Sequence, residues 1–166
     1  MKVLGIDPGT AACGFGIVQA SGSGRLRAVQ YGWWETSPQD TLARRLKRIH
    51  DEVAELIAAH EPEAVVLEES YVGADARTAL SVGQARGAAL VACAAAEVPC
   101  AEYPPATVKH AVCGYGRAEK DQVQRMVMTV LRLEEVPRPH HAADALAVAI
   151  CHALAPPLLL LAGGRR

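Results

Sequence analysis

Lys2-Val3-Leu4-Gly5-Ile6-Asp7-Pro8-Gly9-Thr10 is the stretch that decides the fold. A short apolar run that ends on an acid and is stopped by Pro8-Gly9 predicts a buried strand over residues 2–7. Residues 15–20 and 27–36 predict two more strands, with Ser21-Gly22-Ser23-Gly24 as the hairpin turn between them. Leu42, Leu46, Ile49, Val53, Leu56 and Ile57 then recur at helical spacing, while Arg44, Arg45, Lys47 and Arg48 are expected on the outer face. Pro62 ends that helix, and the continuous apolar run 64–67 reads as a parallel strand covered on both faces. A strand, a helix and another strand in one sheet run parallel, so the C-terminal ends of the first and fourth strands share an edge. If the two are neighbours about 4.8 Å apart, Asp7 meets Glu68.

Beyond Glu68, residues 77–97 predict a helix that is small and apolar nearly all round. A surface helix needs one apolar stripe, so the second face predicts burial against a second subunit. Plain alanine richness accounts for the same pattern. Residues 99–103 read as a fifth strand, followed by helices over about 104–112, 118–133 and 141–154 that Gly114-Tyr115-Gly116, Pro137 and Pro139 separate. The pattern predicts an α/β domain over residues 1–155, a mixed five-stranded sheet flanked by helices, with residues 156–166 as a flexible C-terminal tail.

Composition narrows the class. A chain of 166 residues, 51% of them hydrophobic, fits one domain with a single large core. Cys13, Cys93, Cys100, Cys113 and Cys151 are odd in number and lack CxxC spacing, which supports neither a disulfide framework nor a zinc module. No leader-like or bilayer-spanning run is present, so the sequence reads as soluble and cytoplasmic. A formal net charge of −1 is unlike that of a strongly basic nucleic-acid binder. Neutralising three acids by bound cations would raise it by three, to +2, and local patches then matter more than the total.

Three acids stand out as those candidates. Asp7, Glu68 and Asp144 each interrupt an apolar run at the end or in the body of a predicted element. Charged groups are rarely buried unless they are paired or hold a metal. Three carboxylates roughly 5 Å apart would repel by about 3 kcal/mol per pair at an effective dielectric near 20. Hard oxygen ligands of this kind favour magnesium or manganese and suit phosphoryl-transfer chemistry. His141 stands three residues before Asp144 and His140 four before it, so an imidazole and a carboxylate can face the same cluster. Gly5 and Gly9 beside Asp7 are expected to leave room for phosphate or metal. The same GIDPGT opening would suit an actin-like phosphotransferase, but such folds need a second glycine-rich phosphate loop, which is absent from this sequence.

GIDPG, the glutamate after the fourth strand, ALSVGQARG at 79–87, Val108-Lys109, Ala118-Glu119-Lys120 and AADALAVAI at 142–150 together resemble the bacterial RuvC Holliday-junction resolvases, in one order along nearly the whole chain. The resemblance implies a ribonuclease-H-like fold, a homodimer, and magnesium- or manganese-dependent nicking of four-way DNA junctions in recombination and repair. It also implies RuvA and RuvB branch-migration proteins as partners. Asp7, Glu68 and Asp144 match the family's catalytic acids. Many members carry a further Asp where this chain has His141, which removes one negative charge and puts metal preference at issue. Lys109 and Lys120 match basic positions that contact DNA or assist catalysis, and Tyr71 matches an aromatic near the junction centre, where it could stack on a base. The implied mechanism is two-metal hydrolysis, with Asp7, Glu68, His141 and Asp144 as ligands, Lys120 neutralising developing charge, and 5′ phosphates as products. Arg77, Arg86, Lys109, Arg117 and Lys120 are the expected phosphate contacts. Other readings left open are a ribonuclease-H-fold nuclease acting on RNA hybrids or other branched DNA, and a junction-binding module without activity.

Overall fold

The computed structural model describes residues 1–69 and 76–155. Tyr71 and the tail 156–166 lie outside them. Strands β1 (Lys2–Asp7), β2 (Ala12–Ala20) and β3 (Leu26–Glu35) form an antiparallel meander. Helix α1 (Leu42–His60) then crosses over to β4 (Ala64–Glu68), and α2 (Ala76–Ala95) leads to β5 (Cys100–Tyr103). Helices α3 (Pro105–Cys113), α4 (Lys120–Leu131) and α5 (His140–Leu154) complete the described chain. The sheet order is β3-β2-β1-β4-β5, with β4 parallel to both β1 and β5.

Two layers of helix cover this sheet because strand side chains alternate between faces. Leu4, Ile6, Ile17, Val65 and Leu67 point to the side of α1 and α2, where Val53, Ile57, Ala89 and Ala92 meet them. Val3, Val18 and Val66 point to the opposite side, into a core with Val108, Val123, Val127 and the apolar body of α5. Asp7 shares the alternation of Val3, and Glu68 that of Val66, so both acids rise on the α5 side.

Helix α1 is capped by Thr41, whose side chain accepts the N–H of Arg44, and it ends where Glu61 adopts a left-handed conformation before Pro62. Arg45 does not join the solvated face expected of it. Its guanidinium turns inward to donate to the Thr36 hydroxyl and the Thr10 carbonyl, each at 2.7 Å. The Thr10 hydroxyl in turn bonds Ser81 of α2, so the turn after Asp7 is braced from two helices. On α2 the buried residues are Ala85, Ala89, Ala92 and Cys93, and Leu90 packs against the same core, whereas Leu80 and Val91 are 64% and 60% exposed. All five cysteines are free thiols, three of them buried. Among the described residues, no helix is long and apolar enough to cross a membrane.

Candidate active site

Helix α5 is buried along almost its whole length, and it reaches the sheet because glycines clear its path. A Cβ on Gly5 would strike the Ala145 carbonyl, one on Gly14 the His141 carbonyl, and one on Gly16 the Leu146 side chain. The room beside Gly5 is therefore taken by a helix backbone and not by a phosphate or metal, as the sequence suggested. Gly9 is similarly filled, its hypothetical Cβ meeting the Ala12 carbonyl within the turn. Lying this close, α5 sets Asp144 and His141 over the ends of β1 and β4.

Asp7, Glu68, His141 and Asp144 thus meet at one edge of the sheet. His141 Nδ1 lies 2.7 Å from Asp7 Oδ2, and Lys120 Nζ lies 2.8 Å from Asp144 Oδ2. The His140 ring stacks at a tilt against His141, with centroids 4.0 Å apart. Glu68, Lys109, Lys120 and Asp144 line a cleft of about 170 Å³ floored by Val108, Val123 and Ala147. That floor is apolar, so the charges above it are only partly hydrated.

The electrostatics record the crowding. Burial, then the negative charges of Asp144 and Asp7, push the Glu68 carboxyl up to about 7, against partial relief from Lys109 and Lys120. Asp144 is also raised, chiefly by burial, while its bond to Lys120 opposes the rise. His141 is raised by its hydrogen bond to Asp7. Burial and mutual repulsion therefore disfavour the ionised acids, a cost that a bound divalent cation relieves. Among the described residues, no three His, Cys, Asp or Glu side chains are arranged to close on a single ion. Two of the carboxylates are instead held by His141 and Lys120. The donor set itself, hard carboxylate oxygens with one imidazole, suits magnesium or manganese.

The remaining candidates are more scattered. Arg117 is exposed in the segment before α4, and Arg77 is exposed at the start of α2. Arg86 donates through Nε and Nη2 to the two carboxylate oxygens of Glu102 on β5, a bidentate pair that ties α2 to the sheet. Sequence reasoning offered Arg86 as a phosphate contact, and Glu102 gave no signal of this pairing because the order helix then strand does not fix which side chains meet. Lys109 falls inside the cleft with Glu68, deeper than a peripheral contact.

A mixed sheet of order 3-2-1-4-5 with acids at the ends of its two central strands and a third on the helix crossing them defines a nuclease of the ribonuclease-H-like class. The family model described as crossover junction endodeoxyribonuclease RuvC matches residues 3–152, and the chain belongs to that family. A RuvC from Moorella thermoacetica is 51% identical over 153 residues, covering 92% of this chain and 91% of the relative. The solved Thermus thermophilus RuvC superposes with a TM-score of 0.88 at 41% identity, covering 99% of each chain. T. thermophilus RuvC in complex with a Holliday junction substrate superposes with a TM-score of 0.84 at 41% identity, over 92% of this chain and 93% of that one.

Proposed function

We propose that this protein resolves four-way DNA junctions by paired nicks, with Asp7, Glu68, His141 and Asp144 as the ligands of two magnesium or manganese ions. The observation that carries the reading is the convergence of three acids from distant parts of the chain in one partly buried site, where burial and then the charges of Asp144 and Asp7 lift Glu68 to about 7. Ions bound there would supply Lewis-acid stabilisation of the phosphoryl oxygens.

The chain's own residues supply the rest. His141 Nδ1–H donates to Asp7 Oδ2, which fixes the ring and leaves Nε2 of the neutral imidazole available as a ligand. Lys120, more than half exposed, swings on a flexible stem, so a phosphate entering the cleft can draw it from Asp144. It would then offset the negative charge that grows on the non-bridging phosphoryl oxygens as the water oxygen bonds phosphorus and the bond to the 3′ oxygen breaks. The attacking water gives up a proton to solvent and the departing 3′ oxygen takes one up, so it leaves as a hydroxyl and the phosphate stays on the 5′ end. Lys109, which lines the same cleft, would hold a neighbouring phosphate.

Paired nicks in a near-twofold substrate call for two identical sites, which a twofold dimer supplies. The outward apolar side chains of α2, Leu80 and Val91, suit that interface. Leu90, partly buried, packs against the protein's own core. Coupling to the RuvA and RuvB branch-migration proteins completes the proposal.

Replacing Asp7 with Asn tests it on a synthetic four-way junction with magnesium or manganese. Binding should persist and nicking should fall by orders of magnitude. Undiminished nicking would remove Asp7 from the mechanism.

A further inference from the structure

Strand β3 is the sheet's outer edge on the side away from β4, and it presents an aromatic to solvent where a polar residue would be ordinary. Trp33 is 47% exposed, whereas its neighbour Trp34 is buried on the opposite face against Phe15. Trp33 pairs in register with Gly14, the glycine that lies beneath His141. The indole therefore stands on the α5 side of the sheet, close to the catalytic cluster. It forms one wall of an open groove of about 500 Å³ whose other walls are Gln124, Pro137, Arg138, Pro139 and His140.

The composition of this groove is specific. It offers a flat indole, two rigid prolines, one amide, one imidazole and one guanidinium, and no carboxylate. Arg138 is exposed and forms no ion pair among the described residues. Its size falls within the range of about 300–1,000 Å³ usual for small-ligand sites. It is also continuous with the active site, because His140 lines the groove and stacks on His141, which bonds Asp7. An aromatic face next to a fixed cation matches a base and its phosphate, since every base has a π-face and stacks without regard to sequence.

We propose that the groove bounded by Trp33, Gln124, Arg138 and His140 receives one unstacked nucleotide of the DNA strand next to the cut, its base on the indole and its phosphate on Arg138. The inference rests on the junction-nicking function above and assigns Trp33 and Arg138 as residues that position the strand. Gln124 and His140 supply hydrogen-bonding groups at the edge of the base, which gives the groove a means of preferring some bases over others. Because Trp33 stands beside the helix that carries His141 and Asp144, seating this nucleotide fixes where the adjacent phosphate lies relative to the acids.

The test combines protein and DNA changes. Four-way junctions, each lacking one base at successive nucleotides on either side of the cut, are nicked under single-turnover conditions by wild type, Trp33→Ala and Trp33→Phe. On the intact junction, Trp33→Ala should lower nicking efficiency by roughly 5- to 160-fold, the worth of one stacked base, and Trp33→Phe should restore most of it. At one nucleotide, loss of the base should cost wild type a similar factor and cost Trp33→Ala nothing further. Arg138→Gln should weaken junction binding and lower its salt slope by about 1. Normal nicking by Trp33→Ala, or effects that simply multiply at every nucleotide, would overturn the proposal. If wild type binds junctions without nicking them, the functional reading fails instead, and the same base-removal scan read by binding affinity still decides the groove.

Discussion

Glu68→Gln should make the metal-free protein more stable while abolishing nicking. Burial and the charges of Asp144 and Asp7 raise the Glu68 carboxyl from 4.5 to about 7. At about 1.4 kcal/mol per unit, the full shift corresponds to ~3 kcal/mol of cost for holding the ionised group in the fold. Glu68 is only partly buried, and solvent screening reduces this to about 1–2 kcal/mol. The sign follows from proton counts. Between 4.5 and about 7 the folded state binds more protons at Glu68 than the unfolded state, so stability falls as pH rises across that window. His141, also raised, acts in the same direction, its contribution being full below 6.5 and lost as pH climbs through its folded value. Urea unfolding in chelator at about pH 8 should therefore show Glu68→Gln stabilised, with the gain shrinking to a small fraction at about pH 5. Added manganese should reverse the order by stabilising only wild type strongly. A Gln variant equal to or weaker than wild type at the higher pH in chelator would refute the claim that burial and neighbouring carboxylates penalise the ionised Glu68.

Other outcomes follow from the same geometry. Gly5→Ala drives a Cβ into the Ala145 carbonyl and should cost about 1–3 kcal/mol or more, read by thermal unfolding; a neutral substitution would mean that α5 is not held as described. His141→Asp should retain nicking with a changed ratio of magnesium- to manganese-supported rates, and an unchanged ratio would argue that the ring is not a ligand. Val91→Glu, on an exposed position of α2, should yield monomers in sedimentation with an intact fold by circular dichroism, and a persistent dimer would place the interface elsewhere.

Much of the architecture was legible because periodicity carries it. The run from Lys2 to Asp7, the amphipathic stripe of α1 and the continuous run before Glu68 each announce their element, and the crossover rule makes β1 and β4 parallel; their pairing as neighbours comes from the structure. Asp144 was legible for a different reason, since an acid within an alanine-rich helix has no structural excuse. What escaped was set by tertiary contact. Strand β2 begins at Ala12, before the expected Phe15, because pairing with β3 recruits residues whose composition reads as a turn. Gly5, Gly14 and Gly16 form the surface on which α5 lies, yet in sequence only Gly5 drew notice, and for the wrong occupant. Arg45 and Arg86 look like surface cations until Thr10 and Glu102 are brought to them. Trp33 and Trp34 cannot be told apart by composition. Strand alternation separates them, and only the arrival of Arg138 from the turn before α5 and of His140 from its first residue gives Trp33 a groove.

The most direct measurement is a manganese titration followed by electron paramagnetic resonance on the wild-type chain and on the Asp7→Asn, Glu68→Gln and Asp144→Asn variants, each verified as folded. Tight binding by wild type that weakens markedly in every single variant is the predicted result, since the three side chains act as one ligand set. Manganese bound as tightly by all three variants as by wild type would contradict a shared carboxylate site.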